Sequence, residues 1–302
     1  MVDGTYIVTM RNPFRRDLVL LHPPAVYDFR TKPAFFGPLA DAVPSTAMFE
    51  MYPVGLTSIA AFLERNHYNV EIVNLAYRML QDPRFDVVEH LRRMSAPVFG
   101  IDLHWLPHVQ GALSVIELVK ELHPESRTLV GGLSASYYHD ELVRYPFVDF
   151  VLRGDSMEEP ARQLLQALRE SRPLETVENL TWKRPDGTVV VNPLTFVPKD
   201  LDYVDVPAYR YDYAEHLLDR FGLDGRVHPF VAPLGPFLDP GCRAFEQADF
   251  GHKRFCHTLE DHRRVFLGWH EILSYETNAM TRDEIVRANR RTGQPPDDVW
   301  RR

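Results

Sequence analysis

The chain has 302 residues, which is enough for about two domains at roughly 150 residues each. Its 45% hydrophobic and 25% charged residues are the proportions of an ordinary globular protein, which excludes a disordered or fibrous chain. The net charge of -8 provides no broad positive surface for a phosphate backbone, so we expect no nucleic-acid partner.

No stretch of the sequence approaches the roughly eighteen consecutive apolar residues of a membrane helix, and the N-terminus lacks the basic and apolar segments of a signal peptide. We therefore expect a cytoplasmic protein without a membrane partner. The chain contains two cysteines, Cys242 and Cys256. Two thiols are too few for a disulfide framework or a four-thiolate metal site.

From residue 17 to about residue 172, β-rich runs alternate with segments of helical period, which is typical of βαβ units around a parallel sheet. The predicted strands are 17–21, 69–74, 97–103, 128–130 and 147–152. The predicted helices cover 56–63, 84–93, 112–122, 138–144 and 158–169. Strand 97–103 is the most continuously apolar and is predicted to be central. Five strands and five helices predict an α/β fold with a flavodoxin-like (Rossmann-type) doubly wound parallel sheet.

After residue 172 the sequence changes character. Two β-rich runs flank Asp186-Gly187, a pair typical of a tight hairpin turn. Scattered prolines then predict a linker, and the rest is predicted to be helical in pieces, with Thr281 as an N-cap paired with Glu284. The predicted domains are an α/β domain at 1–172, a hairpin and Pro-rich linker at 173–213, and a helical segment at 214–302. Its two best helix candidates are 259–267 and 282–291.

The long connection after the first strand, from Tyr27 to Tyr52, is rich in aromatic residues. In a doubly wound sheet, ligands bind at the carboxyl ends of the strands. A connection of this length is usually functional or disordered, and this one is too aromatic for disorder. Two interpretations stay open, namely a lid over a large, flat, apolar ligand and an extra packed layer on the domain.

Three further strand ends carry candidate site residues. His104, Trp105 and His108 follow the third strand, where their rings could line a cofactor or offer a metal ligand. We favour such a role for His104; for His108 we favour a helix-start or solvent-facing position. Gly131 and Gly132 follow the fourth strand and allow the backbone to approach a ligand closely. The hydroxyl groups of Ser134 and Ser136 can donate hydrogen bonds there. The acidic residues after the fifth strand suit a helix N-terminus, which is sufficient to explain them.

Four segments, taken together in this order and spacing, resemble the N-terminal cobalamin (B12)-binding domain of B12-dependent radical SAM proteins. They are Leu-Leu-His-Pro-Pro at 20–24, Tyr-Pro-Val-Gly-Leu at 52–56, Val-Gly-Gly-Leu-Ser-Ala at 130–135 and Val-Leu-Arg-Gly-Asp-Ser-Met-Glu-Glu at 151–159. The likeness extends from about residue 17 to 210. It implies a corrin across the strand ends and a nucleotide tail beside the Gly-Gly strand. The contacts that it implies are His22, Pro23, His104, Trp105, Gly131, Gly132, Ser134, Arg153 and Gly154.

The sequence departs from mutase-type cobalamin domains at the loop after the first strand. Those domains have Asp-x-His-x-x-Gly there, which supplies the lower cobalt ligand, whereas this chain has His22-Pro-Pro-Ala. Radical SAM relatives commonly lack that histidine too. We therefore expect no protein ligand to the metal, and a dimethylbenzimidazole displaced from cobalt into a groove beside Gly131 and Gly132.

A second departure concerns the radical SAM cluster, which needs three thiolates, normally in Cys-x3-Cys-x2-Cys. With two cysteines, no [4Fe-4S] cluster and no radical SAM-type activity are expected from this chain alone. Between Tyr213 and Pro229, where such proteins have a barrel, stands a short polar stretch. Segments 236–241 and 278–286 resemble those that follow the barrel. The sequence therefore predicts a relative from which the barrel is missing.

Three functions remain open at this stage, and whether the chain is an enzyme is also open. The chain is a cobalamin-binding carrier, sensor or partner subunit, or it supplies cobalamin to a separate radical SAM or methyltransferase subunit, or it is a degenerate domain that binds nothing. A rival zinc site has the right residue types, namely Cys242, His252, Cys256, His257 and His262. Its spacing matches no paired-ligand module, so we favour scattered surface histidines on an amphipathic helix.

Overall fold

The computed structural model describes residues 16–31, 54–199, 203–204, 243–246, 251–264, 275–285 and 287. Most of the aromatic connection after the first strand, the 213–229 stretch, the 236–241 segment, Cys242 and the end of the helix predicted at 282–291 lie outside these residues.

A parallel sheet forms the centre of the fold. Its strands are β1 (Leu18–His22), β2 (Val70–Asn74), β3 (Val98–Asp102), β4 (Arg127–Gly131) and β5 (Phe150–Leu152). They stand in the order β2-β1-β3-β4-β5, which is the flavodoxin-like doubly wound order with its reversal between β1 and β3. The predicted fold class and the central position of β3 are confirmed.

The sheet has seven strands, so the predicted count of five is wrong. The hairpin strands β6 (Leu180–Lys183) and β7 (Val189–Val191) pair antiparallel at its edge, with Leu152 of β5 opposite Leu180. The physical reason is apolar burial, because Leu180 and Trp182 belong to the same core layer as β1 and β4. The hairpin thus extends the sheet, and the predicted domain limits stay a prediction.

Seven α-helices accompany the sheet in the described part of the chain up to residue 199, together with 3-10 turns at Leu106–His108 and Leu174–Thr176. The α-helices are α1 (Val54–Arg65), α2 (Leu75–Gln81), α3 (Val87–Arg92), α4 (Val109–Leu122), α5 (Leu133–Tyr137), α6 (His139–Leu142) and α7 (Glu158–Glu170). Helix α2 was not predicted; it begins directly after β2, where the Asn74 side chain accepts a hydrogen bond from the Tyr77 N–H at 2.8 Å. Helices α5 and α6 replace the single helix predicted at 138–144.

Alternation along the strands divides the core into two layers. Leu18 and Leu20 face α1 and α7, whereas Val19 and Leu21 face the layer that includes α4. Both faces of the sheet are therefore covered, as the continuously apolar strands require.

The C-terminal part contains α8 (Arg243–Glu246), β8 (His252–Arg254), α9 (Leu259–Arg264) and β9 (Tyr275–Thr277). Strands β8 and β9 pair antiparallel, so the expectation that this part is helical in pieces is wrong there. The predicted cap is confirmed, because the Thr281 N–H donates to Glu284 Oε2 at 2.8 Å and the Glu284 N–H donates to Thr281 Oγ1 at 3.3 Å. No helix within the described ranges is long and apolar enough to cross a membrane.

Candidate functional site

A cavity of about 360 Å³ lies on the α1 and α7 side of the sheet and opens at the carboxyl ends of the strands. This volume falls within the range of small-molecule sites, roughly 300 to 1,000 Å³. The lining comes from four parallel strands, the loops after them and the two helices. It comprises Leu18, Leu20, His22, Gly55, Leu56, Ile59, Gly100, Ile101, Asp102, His104, Trp105, His108, Leu129, Gly131, Gly132, Leu152, Asp155, Met157, Glu158 and Ala161.

The floor of the cavity is Gly100, which stands between Leu20 of β1 and Leu129 of β4 in the strand register. A Cβ atom at residue 100 would come within 2.7 Å of Leu20 Cδ2. From His22 at the mouth to Leu18 the lining extends over four residue steps of β1, which is about 13 Å of strand. Gly100 therefore leaves room for the Leu20 side chain, and both residues belong to an apolar wall under the edge of the sheet.

His22 and Asp102 meet at the mouth, where the strand order reverses. His22 Nδ1 lies 3.1 Å from Asp102 Oδ2, so the ring donates this hydrogen bond to the carboxylate, and His22 is only 2% exposed. The buried His108 ring has its centroid 5.4 Å from that of His22. His108 stands at the start of α4, which was one of its two expected positions, but its side chain makes no helix-cap hydrogen bond and lines the cavity. The solvent-facing alternative is wrong, because the ring is buried.

Two carboxyl groups line the entrance to the cavity on the α7 side, Asp155 and Glu158. Glu158 is buried at the first position of α7, where the helix dipole favours its negative charge. Its Oε1 accepts a hydrogen bond from Ser58 Oγ at 2.7 Å, and its Oε2 accepts one from the Tyr203 hydroxyl at 3.1 Å. The helix start thus explains only part of these acids, since Glu158 also joins α1 to the cavity wall.

His104 and Trp105 form the rim of the opening. Their rings stack at a centroid distance of 5.8 Å and an interplanar angle of 26°, and Trp105 is 36% exposed. Together they present an aromatic surface beside the mouth, which suits a flat ligand.

Gly132 lines the cavity and also packs tightly against the backbone that follows β3. Its φ of 118° favours glycine, and a Cβ atom there would lie 2.4 Å from the Leu103 carbonyl oxygen. The Ser134 N–H and Oγ donate to the His104 carbonyl oxygen at 3.1 and 3.2 Å. The backbone after β3 therefore fills the place that a side chain at residue 132 would take, while Gly132 itself lines the same cavity as Gly100. The predicted tail position beside Gly131 and Gly132 stays a prediction.

The other predicted contacts support the loops from outside the cavity. Pro23 is buried behind the β1 end. The Arg153 guanidinium donates to the Asn192 carbonyl oxygen of the hairpin, and burial lowers the pKa of this guanidinium below its usual value. The Gly154 N–H donates to Ser136 Oγ at 2.9 Å. Of the nine predicted contacts, the structure brings five into the cavity lining, namely His22, His104, Trp105, Gly131 and Gly132.

The sequence did not identify Gly100 as the floor of the cavity or Glu158 as a buried acid in its wall. Gly100 carried a detectable signal, because a glycine inside a continuously apolar strand marks a close approach or an open space. Glu158 carried none beyond its place at a helix start.

The rival zinc site is not assembled in the part of the chain that the structure describes, where no three metal-ligating side chains come together. The interpretation as surface histidines is wrong for His262, which is buried against the Tyr138 ring. Burial lowers the pKa of His262 to about 4 and raises the pKa of the Cys256 thiol. Cys242 lies outside the described residues.

Comparison with known proteins indicates the class of domain to which the sheet and its cavity belong. Residues 41–164 match the sequence model of the B12 binding domain family. The match confirms the resemblance to a B12-binding domain seen in the sequence and supports cobalamin as the cofactor.

Two curated relatives are methyl-transferring enzymes by name. The chain is 26% identical over 157 residues to cytidylyl-2-hydroxyethylphosphonate methyltransferase of Streptomyces wedmorensis, covering 47% of this chain and 29% of the relative. It is 25% identical over 186 residues to hopanoid C-3 methylase of Methylococcus capsulatus, covering 61% and 32%. The chain thus spans about a third or less of the length of these relatives.

Among solved structures, the chain is similar to the radical S-adenosylmethionine methyltransferase TsrM of Kitasatospora setae. The sequence identity is 19% and the TM-score 0.45, and the match covers 59% of this chain and 30% of TsrM.

Proposed function

We propose that this chain holds cobalamin with the corrin across the carboxyl edge of the sheet and the nucleotide tail in the cavity above Gly100. The observation that carries the proposal is the cavity itself. It opens where the strand order reverses, which is the place where doubly wound sheets bind ligands. It then continues along the sheet for about 13 Å, which gives an extended tail room below a flat ring.

The residues at the mouth would orient the cofactor. His104 and Trp105 offer stacked rings to the corrin, and Gly131 lets the β4 end approach it closely. The hydrogen bond to Asp102 fixes the orientation of the His22 ring at the mouth. Bound cobalamin supplies a cobalt centre that can carry a methyl group.

The remaining predicted contacts act through these residues. Ser134 holds the loop that carries His104, and Arg153 and Gly154 hold the loop before α7 against the hairpin and α5. In this proposal they keep the mouth in shape, and Pro23 does the same behind His22.

We further propose that the chain serves as a cobalamin carrier or partner subunit. Its two cysteines cannot supply the three thiolates of a radical SAM cluster, so these 302 residues would depend on a separate radical SAM or methyltransferase polypeptide for chemistry. The methyl-transferring relatives support this role. In the same proposal the barrel of such enzymes is missing from this stretch.

The first experiment is a titration of the purified chain with hydroxocobalamin, followed by visible absorbance. We expect one cobalamin per chain, with the spectrum of a cobalt from which the benzimidazole is detached. No binding at high micromolar cobalamin would contradict the proposal.

The second experiment is anaerobic reconstitution with iron and sulfide. We expect no stoichiometric [4Fe-4S] cluster and no reductive cleavage of S-adenosylmethionine. A four-iron EPR signal together with 5′-deoxyadenosine formation by the isolated chain would refute the dependence on a separate radical SAM polypeptide. If no cluster forms, co-purification identifies the partner.

A further inference from the structure

We infer that the cavity selects among corrinoids by their lower base, and that it accepts an apolar benzimidazole and rejects a purine such as adenine. This inference rests on the proposed placement of the nucleotide tail above Gly100. Discrimination between lower bases is an additional property, because a tail could lie in the cavity without any preference for its base.

The deep part of the cavity is apolar on every side that the structure describes. Its walls come from the sheet face and from the second turns of α1 and α7, one turn below the mouth. They are Leu18, Leu20, Ile59, Gly100, Leu129 and Ala161. The backbone N–H and C=O groups of β3 at this level pair with β1 and β4, so they are not available to a ligand. Within the described lining, a base in this part therefore meets no hydrogen-bonding group.

The polar groups of the cavity stand at its mouth. His22 and Asp102 end their strands, two residues beyond Leu20 and Gly100, and thus about 7 Å above the floor. Glu158 is at the first position of α7, and both of its oxygens already accept hydrogen bonds from Ser58 and Tyr203. The carboxylates can accept hydrogen bonds from the sugar hydroxyls, but the tip of the tail lies beyond all of these groups.

The two bases differ at that tip. Dimethylbenzimidazole carries two methyl groups on its six-membered ring, which gain free energy when they are buried among leucine and isoleucine side chains. Adenine carries ring nitrogens and an exocyclic amine on its six-membered ring, and each would lose its hydrogen bonds to water without a replacement. Sites discriminate strongly when polar groups are left unpaired, so the penalty falls on the purine.

The test compares three corrinoids on the full chain by absorbance titration: cobalamin, adeninylcobamide and cobinamide, which has no nucleotide. We expect adeninylcobamide to bind about tenfold or more weakly than cobalamin, which corresponds to about 1.4 kcal/mol. Cobinamide should also bind more weakly than cobalamin.

The outcomes separate this inference from the proposed function. Equal affinities for cobalamin and adeninylcobamide would overturn base selection while cobalamin binding stands. Equal affinities for cobalamin and cobinamide would remove the tail from the cavity and would overturn the proposed placement.

A pair of variants tests the position of the base. Ile59 is half-buried on α1 and lines the deep part of the cavity. Ile59→Gln offers an amide to the base, whereas Ile59→Met keeps the position apolar with an unbranched side chain about as long as that of glutamine. We expect Ile59→Gln to reduce the preference for cobalamin over adeninylcobamide by about threefold or more, and Ile59→Met to keep it. An unchanged preference in Ile59→Gln, with the wild-type selectivity intact, would overturn the contact between the base and this wall.

Discussion

Leu20 of β1 lies opposite Gly100 of β3, and the Leu20 Cδ2 atom occupies the position next to where a side chain at residue 100 would begin, at 2.7 Å from an ideal Cβ. Any larger residue at position 100 must push Leu20 aside or project into the cavity. A side chain at residue 100 would therefore reduce the space in the candidate site.

We predict that Gly100→Val lowers cobalamin affinity by about tenfold or more, because its branched side chain fills the floor of the cavity. Valine is a strong strand former, so the sheet itself should form. The measurement is a hydroxocobalamin titration, and the thermal melting of the variant without cofactor distinguishes a filled cavity from an unfolded sheet. A folded Gly100→Val with wild-type affinity would place the tail elsewhere.

Gly132 is predicted to matter for stability rather than for cavity volume. Its φ of 118° is unfavourable for alanine, and the new Cβ would meet the Leu103 carbonyl oxygen at 2.4 Å. Gly132→Ala should therefore lower the free energy of unfolding by about 2 kcal/mol or more, as measured by urea unfolding without cofactor.

A matched control for that variant is Gly187→Ala in the hairpin turn. Gly187 also has a positive φ, of 85°, but nothing lies within 4 Å of the position of its Cβ. Gly187→Ala should therefore lower the free energy of unfolding by only about 1 kcal/mol. Equal losses in the two variants would show that the contact with Leu103 is unimportant.

Much of the fold could be predicted from the sequence because the strongest patterns are local. The apolar run of β3 and the periodic face of α4 identify themselves without knowledge of their neighbours. The hairpin was also found, but its turn residues do not say which sheet edge it joins. Helix α2 was missed because it begins directly at the end of β2, with no loop between the two elements to mark the change.

The site was predictable where it depends on strand ends. His22 and His104 could be placed because a doubly wound sheet brings the ends of β1 and β3 together. Gly100 could not be assigned to the floor, because its role depends on the strand register with Leu20, which no local pattern contains. Arg153 was predicted to contact the cofactor because it belongs to the matching segment 151–159. Its side chain instead points to the Asn192 carbonyl oxygen, which is distant in the sequence.

The rim residue His104 provides a milder test. Its ring is exposed and stacks on Trp105, so we expect it to contribute one contact with the corrin. His104→Ala should weaken cobalamin binding by about two- to fivefold, whereas Trp105→Ala should weaken it more because the indole is larger. The visible spectrum of bound cobalamin should stay unchanged in His104→Ala. A shift of the cobalt bands would instead make His104 a metal ligand.

His262 couples the C-terminal part to the pH of the solution. Helix α9 packs on the domain through the buried Leu259, and the Tyr145 hydroxyl donates to Glu260 Oε2 at 2.9 Å. His262 is buried in the same contact, where its ring lies 6.0 Å from that of Tyr138. Burial favours the neutral imidazole and lowers its pKa from the ordinary 6.5 to about 4.

Between those two pKa values the unfolded chain binds a proton at residue 262 and the folded chain does not, so the free energy of unfolding falls as the pH decreases from 6.5 towards 4. From pH 7.5 to pH 5 this histidine should account for a loss of about 2 kcal/mol. The measurement is urea unfolding at both pH values. His262→Leu should lose less stability over this interval than the wild type by that amount, whereas His257→Leu, at an exposed position, should follow the wild type. The same loss in His262→Leu and the wild type would mean that another group carries the pH dependence.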